Sequence, residues 1–594
     1  MTAPSLHAVA TLALVIAMFY AFARGRLAVE IVSLLVIGTI ALGLYFFPLP
    51  GKTPSDGLAL AFSGFGHHAL IAICALMILG RGLVTTGALD PVAYGLARVW
   101  RINRHLGMLV TLASAFALSM VVNDTPVLVL LLPILVQLAT RGGMPASKTL
   151  IPVNAAILIG GMATTIGTST NILVVSIATD LGMKPMSVFH FTPIVLVAAA
   201  LVFPYVWLVM PRLLPDNSAE DGHAARRFVA KFRIGAESSF IGKPVEAINK
   251  RFSGTGVDFR PPLAMPLEAG AHVGVAGTAD GLDHAARTLG AIAAPAWLDA
   301  RLRKDAAASG EDLVVAELAV AADSRLIGLT LQTAGLRGVA VVGIHQARRF
   351  WGEVRPEHAD APLAEGDVLR VMGTIAALQA FAASDGLLLL EGGQELPRSA
   401  KALLALAIVT GSIALASFGL LPIAISALGG AVLMFVTGCV RFERVGRALS
   451  AKVIVLVASS IAVGRVMLDS GAAAFLGELL ALGLQALPAA GVLAAIMVFV
   501  TALTNFASNA AAAAVGTPIA VSLAQQLGLP VEPLVLAVLF GCNLCYATPV
   551  AYQTNMLIMA EGDYRFGDYI RTGLPLVVMM VLALSTLLVL TYGL

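Results

Sequence analysis

The chain has 594 residues, 58% of them apolar and 12% charged, with a mean hydropathy of +0.89. No soluble fold hides that much apolar surface, so a polytopic membrane protein is expected. The net charge of +3 is small and its basic residues sit in short loops, a pattern that sets orientation in a bilayer and argues against nucleic acid as a partner.

The segment from Met1 to His7 has neither the basic region nor the cleavage site of a signal peptide, so the first apolar run is expected to stay as a membrane helix. Apolar runs long enough to span occur at 7–23, 28–46, 67–88, 149–178 and 191–211. Between the third and fourth, the stretch 107–140 is interrupted by Ser119-Met-Val-Val-Asn123-Asp124-Thr125-Pro126 and reads as a re-entrant hairpin. Its tip reads as an N-cap followed by proline at the first helical position. The fourth run carries Gly160-Gly161-Met-Ala-Thr-Thr-Ile-Gly167-Thr168-Ser169-Thr170-Asn171, a polar stretch where the helix should unwind.

Residues 213–397 change to the mixed polarity of a soluble domain, and the segment is itself duplicated. Ser239-Phe-Ile-Gly242 and Arg325-Leu-Ile-Gly328 each follow a strand-like run and are expected to open a helix. Gly270 and Gly277, then Gly366 and Gly373, bracket alternating strands. Gly274-Val-Ala-Gly277 lacks the third glycine, the helix and the downstream acid of a dinucleotide site.

Apolar runs resume at 402–418, 422–440, 452–469, 533–560 and 573–592. The stretch 488–527 is broken by Thr504-Asn505-Phe-Ala507-Ser508-Asn509-Ala510, and the ninth run carries Thr548-Pro-Val-Ala551-Tyr552-Gln553-Thr554-Asn555. Each half thus has a hydroxyl and amide cluster, then a small residue, three more residues and Asn. Gly80-Arg81 followed by Gly87 likewise recurs as Gly464-Arg465 followed by Gly471. Arg81 and Arg465 read either as snorkelling residues or as groups that orient a mobile part. Arg24, Arg26, Arg98, Arg101, Arg104, Arg141, Lys148, Arg212, Lys401, Arg441, Arg444, Arg447, Lys452, Arg565 and Arg571 fall in loops on one side, against Lys52 and Lys184 opposite. The basic side is expected to be cytoplasmic, and five spans per half then make the halves inverted repeats. The expected fold is an all-α polytopic membrane protein, five spans plus a hairpin in each repeat, with an inserted α/β (α+β) cytoplasmic region. Its divisions are 1–212, 213–310, 311–397 and 398–594. Cys74, Cys439, Cys542 and Cys545 lie in apolar stretches and read as packing residues, because the close pair Cys542 and Cys545 has no second pair or nearby His.

A hairpin tip within the bilayer offers N–H dipoles to an anion and carbonyls to a cation. Sodium, a hard ion, suits carbonyl and hydroxyl oxygens from a tip and its facing unwound segment, so each half is expected to hold one cation with the anion between them.

These clusters resemble the divalent anion/sodium symporters of the ion transporter superfamily, whose hallmark is a Ser-Asn-Thr hairpin tip facing an unwound Gly- or Ala-Thr-Pro-Pro-Asn. The ending from Glu561 to Tyr569 also resembles that family, and the resemblance covers nearly all of the membrane portion. It implies sodium sites at Ser119, Asn123, Asp124 and Gly167 and at Thr504, Ala507, Asn509 and Ala551. It implies an anion against Asn123, Thr125, Ser508 and Asn509, with Thr168 and Thr554 nearby. A homodimer and an elevator motion follow from the same resemblance, with sodium ions for coupling and no other cofactor. The insert resembles two RCK C-terminal (TrkA-C) modules, which implies a small regulatory ligand and the branch often assigned to sulfate. The tips here are Asn-Asp-Thr and Ser-Asn-Ala, and Thr168-Ser169-Thr170 and Tyr552-Gln553-Thr554 replace the proline pair. Those extra hydroxyls and the Gln553 amide favour a compact tetrahedral anion such as sulfate over a C4 dicarboxylate. Asp124 repels a dianion unless a cation neutralises it or it carries a proton, so proton coupling or export stands as an alternative. An intramembrane enzyme lacks support, because no His-Glu-x-x-His, Gly-x-Ser-x-Gly or Walker loop is present. A ligand-gated channel would need a Thr-Val-Gly-Tyr-Gly filter, also missing. The bacterial inner membrane is the expected location.

Overall fold

A computed structural model of the chain describes residues 4–24, 27–140, 144–216, 401–442, 449–506 and 508–594, together with the segments around the strands and helices named below within 227–391. The first half runs α1 (Leu6–Arg24), α2 (Val29–Phe46), α3 (Pro54–Phe62), α4 (His68–Thr85), α5 (Asp90–Ile102), α6 (Arg104–Ser119), α7 (Asp124–Thr140), α8 (Ala146–Met162), α9 (Ser169–Asp180) and α10 (Thr192–Pro204), which continues through a π turn to Leu213. Among the described residues, seven helices are long and apolar enough to cross a membrane, and further apolar helices are shorter. Those shorter helices include α8, the first piece of the fourth expected span, which is split because α8 and α9 are separate helices.

The polar interruption of 107–140 is a turn between α6 and α7, which pack on each other and on α8. Asn103 starts α6 by accepting from the backbone N–H groups of His105 at 2.8 Å and Leu106 at 3.2 Å. Helix α7 begins at Asp124, two residues ahead of Pro126. Proline therefore sits within the first turn instead of at the first helical position; its missing N–H has no partner there in any helix.

The insert is a sheet with helices on it. Its strands are β1 (Arg227–Ile234), β2 (Asp258–Arg260), β3 (His272–Thr278), β4 (Ala291–Ile292), β5 (Val314–Val320), β6 (Ala340–His345), β7 (Val368–Gly373) and β8 (Leu387–Glu391), with α11 (Ala279–Leu289) after β3 and α12 (Ile375–Asp385) after β7. The order is β2-β3-β1-β6-β7-β5-β8, with β4 on β1, and the pairings are antiparallel. Two units of one plan are visible. In each, a strand pairs with the one that precedes a threonine-capped helix, Thr278 or Thr374, and the helix ends at a left-handed glycine, Gly290 or Gly386. Gly242 and Gly328 share φ of 81°, and Gly270 and Gly366 have φ of 83° and 84°, so the glycines picked out from the sequence make equivalent turns. The helices expected after Gly242 and Gly328 lie outside the described residues. The units meet where β1 pairs with β6 and where Arg370 makes two bonds to Asp283, at 2.9 and 2.7 Å.

The second half runs α13 (Ala402–Ser417), α14 (Ile423–Val436), α15 (Ala451–Asp469), α16 (Ala472–Leu484), α17 (Ala489–Phe506), α18 (Asn509–Leu527), α19 (Val531–Asn543), α20 (Gln553–Glu561) and α21 (Phe566–Tyr592). Apart from α3, whose counterpart is not among the described residues, its order repeats that of the first half: two helices, a third ending at a left-handed glycine (Gly87, Gly471), a short helix, a hairpin, a broken helix and a closing span. The halves interlock, since α4 packs on α14 and α2 on α15. The chain is thus predominantly helical, as expected for a polytopic membrane protein. The short helices α3, α5 and α16 were not anticipated from the apolar runs.

Candidate functional site

In the first half, the Ser119 hydroxyl at the end of α6 donates to Asp124 Oδ1 at 2.5 Å, closing the hairpin tip on itself. Asn123 precedes α7 and its Oδ1 accepts from the Thr125 N–H at 3.4 Å. Across from the tip, the chain unwinds between α8 and α9. Asn171 holds the break, donating from Nδ2 to the carbonyls of Gly161 at 2.9 Å and Thr164 at 2.7 Å. Thr168 caps α9 by accepting from the Asn171 N–H, and Thr164 donates to the Met120 carbonyl of the tip at 2.6 Å. Two glycines are obligatory here. A Cβ on Gly161 would lie 2.2 Å from Asp124 Oδ1, and one on Gly167 would lie 2.3 Å from the Gly161 carbonyl oxygen.

The second half repeats these bonds at the same sequence separations. Thr504 donates to Asn509 Oδ1 at 2.5 Å, five residues on, as Ser119 does to Asp124. Asn555 donates to the carbonyls of Cys545 at 2.7 Å and Thr548 at 2.8 Å, ten and seven residues back, as Asn171 does to Gly161 and Thr164. Superposing the patterns pairs Asp124 with Asn509, Gly161 with Cys545 and Gly167 with Ala551. The Cys545 sulfur accepts from Asn509 Nδ2 at 3.9 Å, and its thiol donates to the Asn543 carbonyl at 3.5 Å.

The two broken helices are bonded to each other through the same asparagines. Asn543 Nδ2 donates to Asn171 Oδ1 at 2.7 Å, and Asn154 Nδ2 donates to Asn555 Oδ1 at 2.5 Å. Thr168 adds a bond to Asn543 Oδ1 at 3.4 Å, and the Tyr552 hydroxyl from the second half interacts with the Asp124 carboxyl of the first. Ser119, Asp124, Thr504 and Thr554 have no exposed surface, and Thr168, Asn509 and Ala551 are buried. Asn123, Thr125, Ser169, Ser508 and Gln553 are half-buried, at the starts of α7, α9, α18 and α20. Ala507 lies outside the described residues.

Asn154, Asn543, Cys545 and Tyr552 belong to this polar layer although sequence reasoning gave them no role. The signal for the first two was an amide inside an otherwise apolar run. Three buried oxygens of the layer, Asp124 Oδ2, Asn154 Oδ1 and Thr554 Oγ1, have no hydrogen bond among the described residues. Arg465 reaches α9 directly, donating to Asp180 at 3.2 Å beside His67 at 2.9 Å, whereas the described bonds of Arg81 involve only its backbone. No group of three His, Cys, Asp or Glu side chains that could hold a metal occurs among the described residues. A cation here would depend on oxygens of carboxylate, hydroxyl and carbonyl type, a shell suited to a hard ion.

The arrangement can bind ions of both signs. The helices α7, α9, α18 and α20 all begin within this layer, and a helix N-terminus favours an anion. The carboxylate of Asp124 and the carbonyls of the breaks favour a cation.

A family model described as Citrate transporter matches residues 17–541 and 506–593 of the chain. An uncharacterized transporter of Synechocystis is 30% identical over 98% of this chain and 97% of its own length. A putative sulfur deprivation response regulator of Chlamydomonas reinhardtii is 27% identical over 87% of this chain and 92% of its own. Sodium/sulfate cotransporter 1 of the same alga is 28% identical over 32% of this chain and 22% of its own.

Proposed function

We propose, on the premise that this chain belongs to the citrate transporter family, that it is a secondary active transporter coupling a small divalent anion, sulfate or a close relative, to sodium. It is an integral membrane transporter of the citrate transporter and sodium/sulfate cotransporter type, and not an enzyme. The observation that carries the finer reading is the doubled tip-and-break arrangement: two hairpin tips, each facing a helix unwound inside the apolar interior and each clasped by one asparagine. Irregular backbone at that depth serves a bound solute, since lipid cannot satisfy its polar groups.

In this reading a sodium ion sits at Asp124 with Ser119, Asn123 and the Gly167 segment around it, and neutralises the carboxylate so that a dianion can enter. The anion meets the starts of α7, α9, α18 and α20 through Asn123, Thr125, Thr168, Ser169, Ser508, Asn509, Gln553 and Thr554. Sulfate, which needs many donors in a small volume, suits this set better than an extended dicarboxylate does. The names of the algal relatives point the same way. The halves act as inverted repeats, the hairpins and broken helices move as an elevator against the remaining helices, and two copies pair as a homodimer. The insert is a cytoplasmic pair of RCK C-terminal-like modules that takes a small regulatory ligand, and the host is a bacterial inner membrane.

The test is uptake of labelled sulfate into proteoliposomes under an inward sodium gradient, competed by excess succinate, citrate or thiosulfate and repeated with a proton gradient alone. Sodium-driven uptake untouched by succinate is expected. Accumulation of succinate in place of sulfate makes the protein a dicarboxylate carrier, and uptake driven by protons alone removes sodium from the mechanism.

A further inference from the structure

The two tips are built alike but are not chemically alike, and the difference bears on how many cations the carrier moves. At the first tip, Asp124 Oδ1 takes the Ser119 proton while Oδ2 is fully buried with no partner. The residue facing it is Gly161, where even one carbon would approach Oδ1 to 2.2 Å. The carboxyl, with which the Tyr552 hydroxyl also interacts, thus keeps one oxygen against bare backbone and leaves the other without a hydrogen bond, an arrangement that a hard cation can complete.

At the second tip the corresponding positions are Asn509 and Cys545. Asn509 Oδ1 takes the Thr504 proton, its Nδ2 points at the Cys545 sulfur, and the thiol donates to the Asn543 carbonyl. The tip residue is neutral, its donor side is turned to the Cys545 side chain, and that side chain is a soft sulfur that a hard alkali ion does not select. Neither Asn509 nor Cys545 has an acceptor left without a partner.

We infer that only the first tip, at Asp124, binds a coupling cation, and that the second tip is a permanently closed joint in which the Cys545 side chain takes the cation's place. This rests on the cation-coupled reading above and corrects its symmetric form, in which Thr504, Ala507, Asn509 and Ala551 would hold a second sodium. The Cys545 joint keeps the α17–α18 hairpin on its broken helix whether or not sodium is present. The Asp124 joint is held by the Thr164–Met120 bond, and the ion completes it at the carboxyl.

The experiment uses the full chain in proteoliposomes, with sodium as the probe and the transported anion at saturation. Sodium activation of the wild type should be hyperbolic, with a Hill coefficient of about 1, and the double variant Cys545→Gly with Asn509→Asp, which copies the first tip, should raise it towards about 2. Membrane potential supplies a readout that does not depend on that variant folding. One sodium with a divalent anion carries net negative charge inward, so an inside-negative potential set with potassium and valinomycin should slow uptake by the wild type. A wild-type Hill coefficient of about 2 together with uptake indifferent to potential would overturn the inference while leaving sodium coupling intact. Uptake that no alkali cation stimulates would instead overturn the Asp124 site and the sodium-coupled reading with it.

Discussion

The two halves of the membrane region make the same backbone bonds and different ionic ones. Asn171 and Asn555 each tie two carbonyls seven and ten residues back, and the Oδ1 of each accepts from the Nδ2 of an asparagine of the opposite half. Asp124 and Asn509, which those clasps face, differ in that only the first can ionise. Groups that shape the chain recur in both halves, while the tip residues Asp124 and Asn509 have diverged. The largest expected effect tests the shared part. Replacing Asn171 or Asn555 with Ala takes the side-chain donor from two buried carbonyls, at about 1–3 kcal/mol for each group, and the loss of Asn555 also strips the Asn154 amide of its acceptor, whereas Asn543 keeps its bond to Leu539. Both variants should lose uptake altogether and show a similar, large fall in thermal stability in detergent. If one asparagine proves dispensable, the two breaks are not equivalent.

The unshared part comes next. Gly161→Ala places a carbon against Asp124 and should abolish uptake, whereas Cys545→Ala removes atoms from a filled position and should leave most of it. Roughly equal losses would mean that the two tips are used alike. Asp124→Asn gives the first tip the second tip's chemistry. Sodium affinity, read from the concentration for half-maximal uptake, should weaken tenfold or more, since a lost charge-assisted interaction is about 1.5–3 kcal/mol. Unchanged sodium affinity in that variant would remove the carboxylate from the coupling step.

Much of this plan could be read from the chain because a polar residue in an apolar run is rare and costly. The clusters at 119–126, 160–171, 504–510 and 548–555 located both hairpin tips and both breaks, and the paired insert glycines located equivalent turns. Helices α5 and α16 escaped because each has 13 residues, too few to span, and α5 carries arginines that interrupt its apolar pattern. The cross-half bonds escaped for another reason. Asn543 meets Asn171 from 372 residues away and Asn154 meets Asn555 from 401, and no local pattern encodes which amide will face which. Cys545 reads as a packing residue in the sequence, and only the fold shows that it stands where the other half has Gly161.

The insert supplies the mild counterpart. Its two units also share turns and caps, and among the described residues they are joined by the β1–β6 pairing, the Phe228–His345 ring contact, the packing of Leu302 on Ala340 and the Arg370–Asp283 ion pair. Arg370 is nearly buried whereas half of the Asp283 side chain is exposed, so solvent screens the pair and its loss should cost only about 1 kcal/mol. Arg370→Ala should therefore lower the stability of the insert slightly while leaving sodium dependence and the list of competing anions as in the wild type. Because β8 lies against α7, the helix that begins at Asp124, a change in uptake rate without a change in selectivity is the expected limit of the effect. A shift in which anions compete would place the insert in substrate recognition, a role that the described bonds oppose: among the described residues, those that hold the tips and breaks belong to the membrane halves.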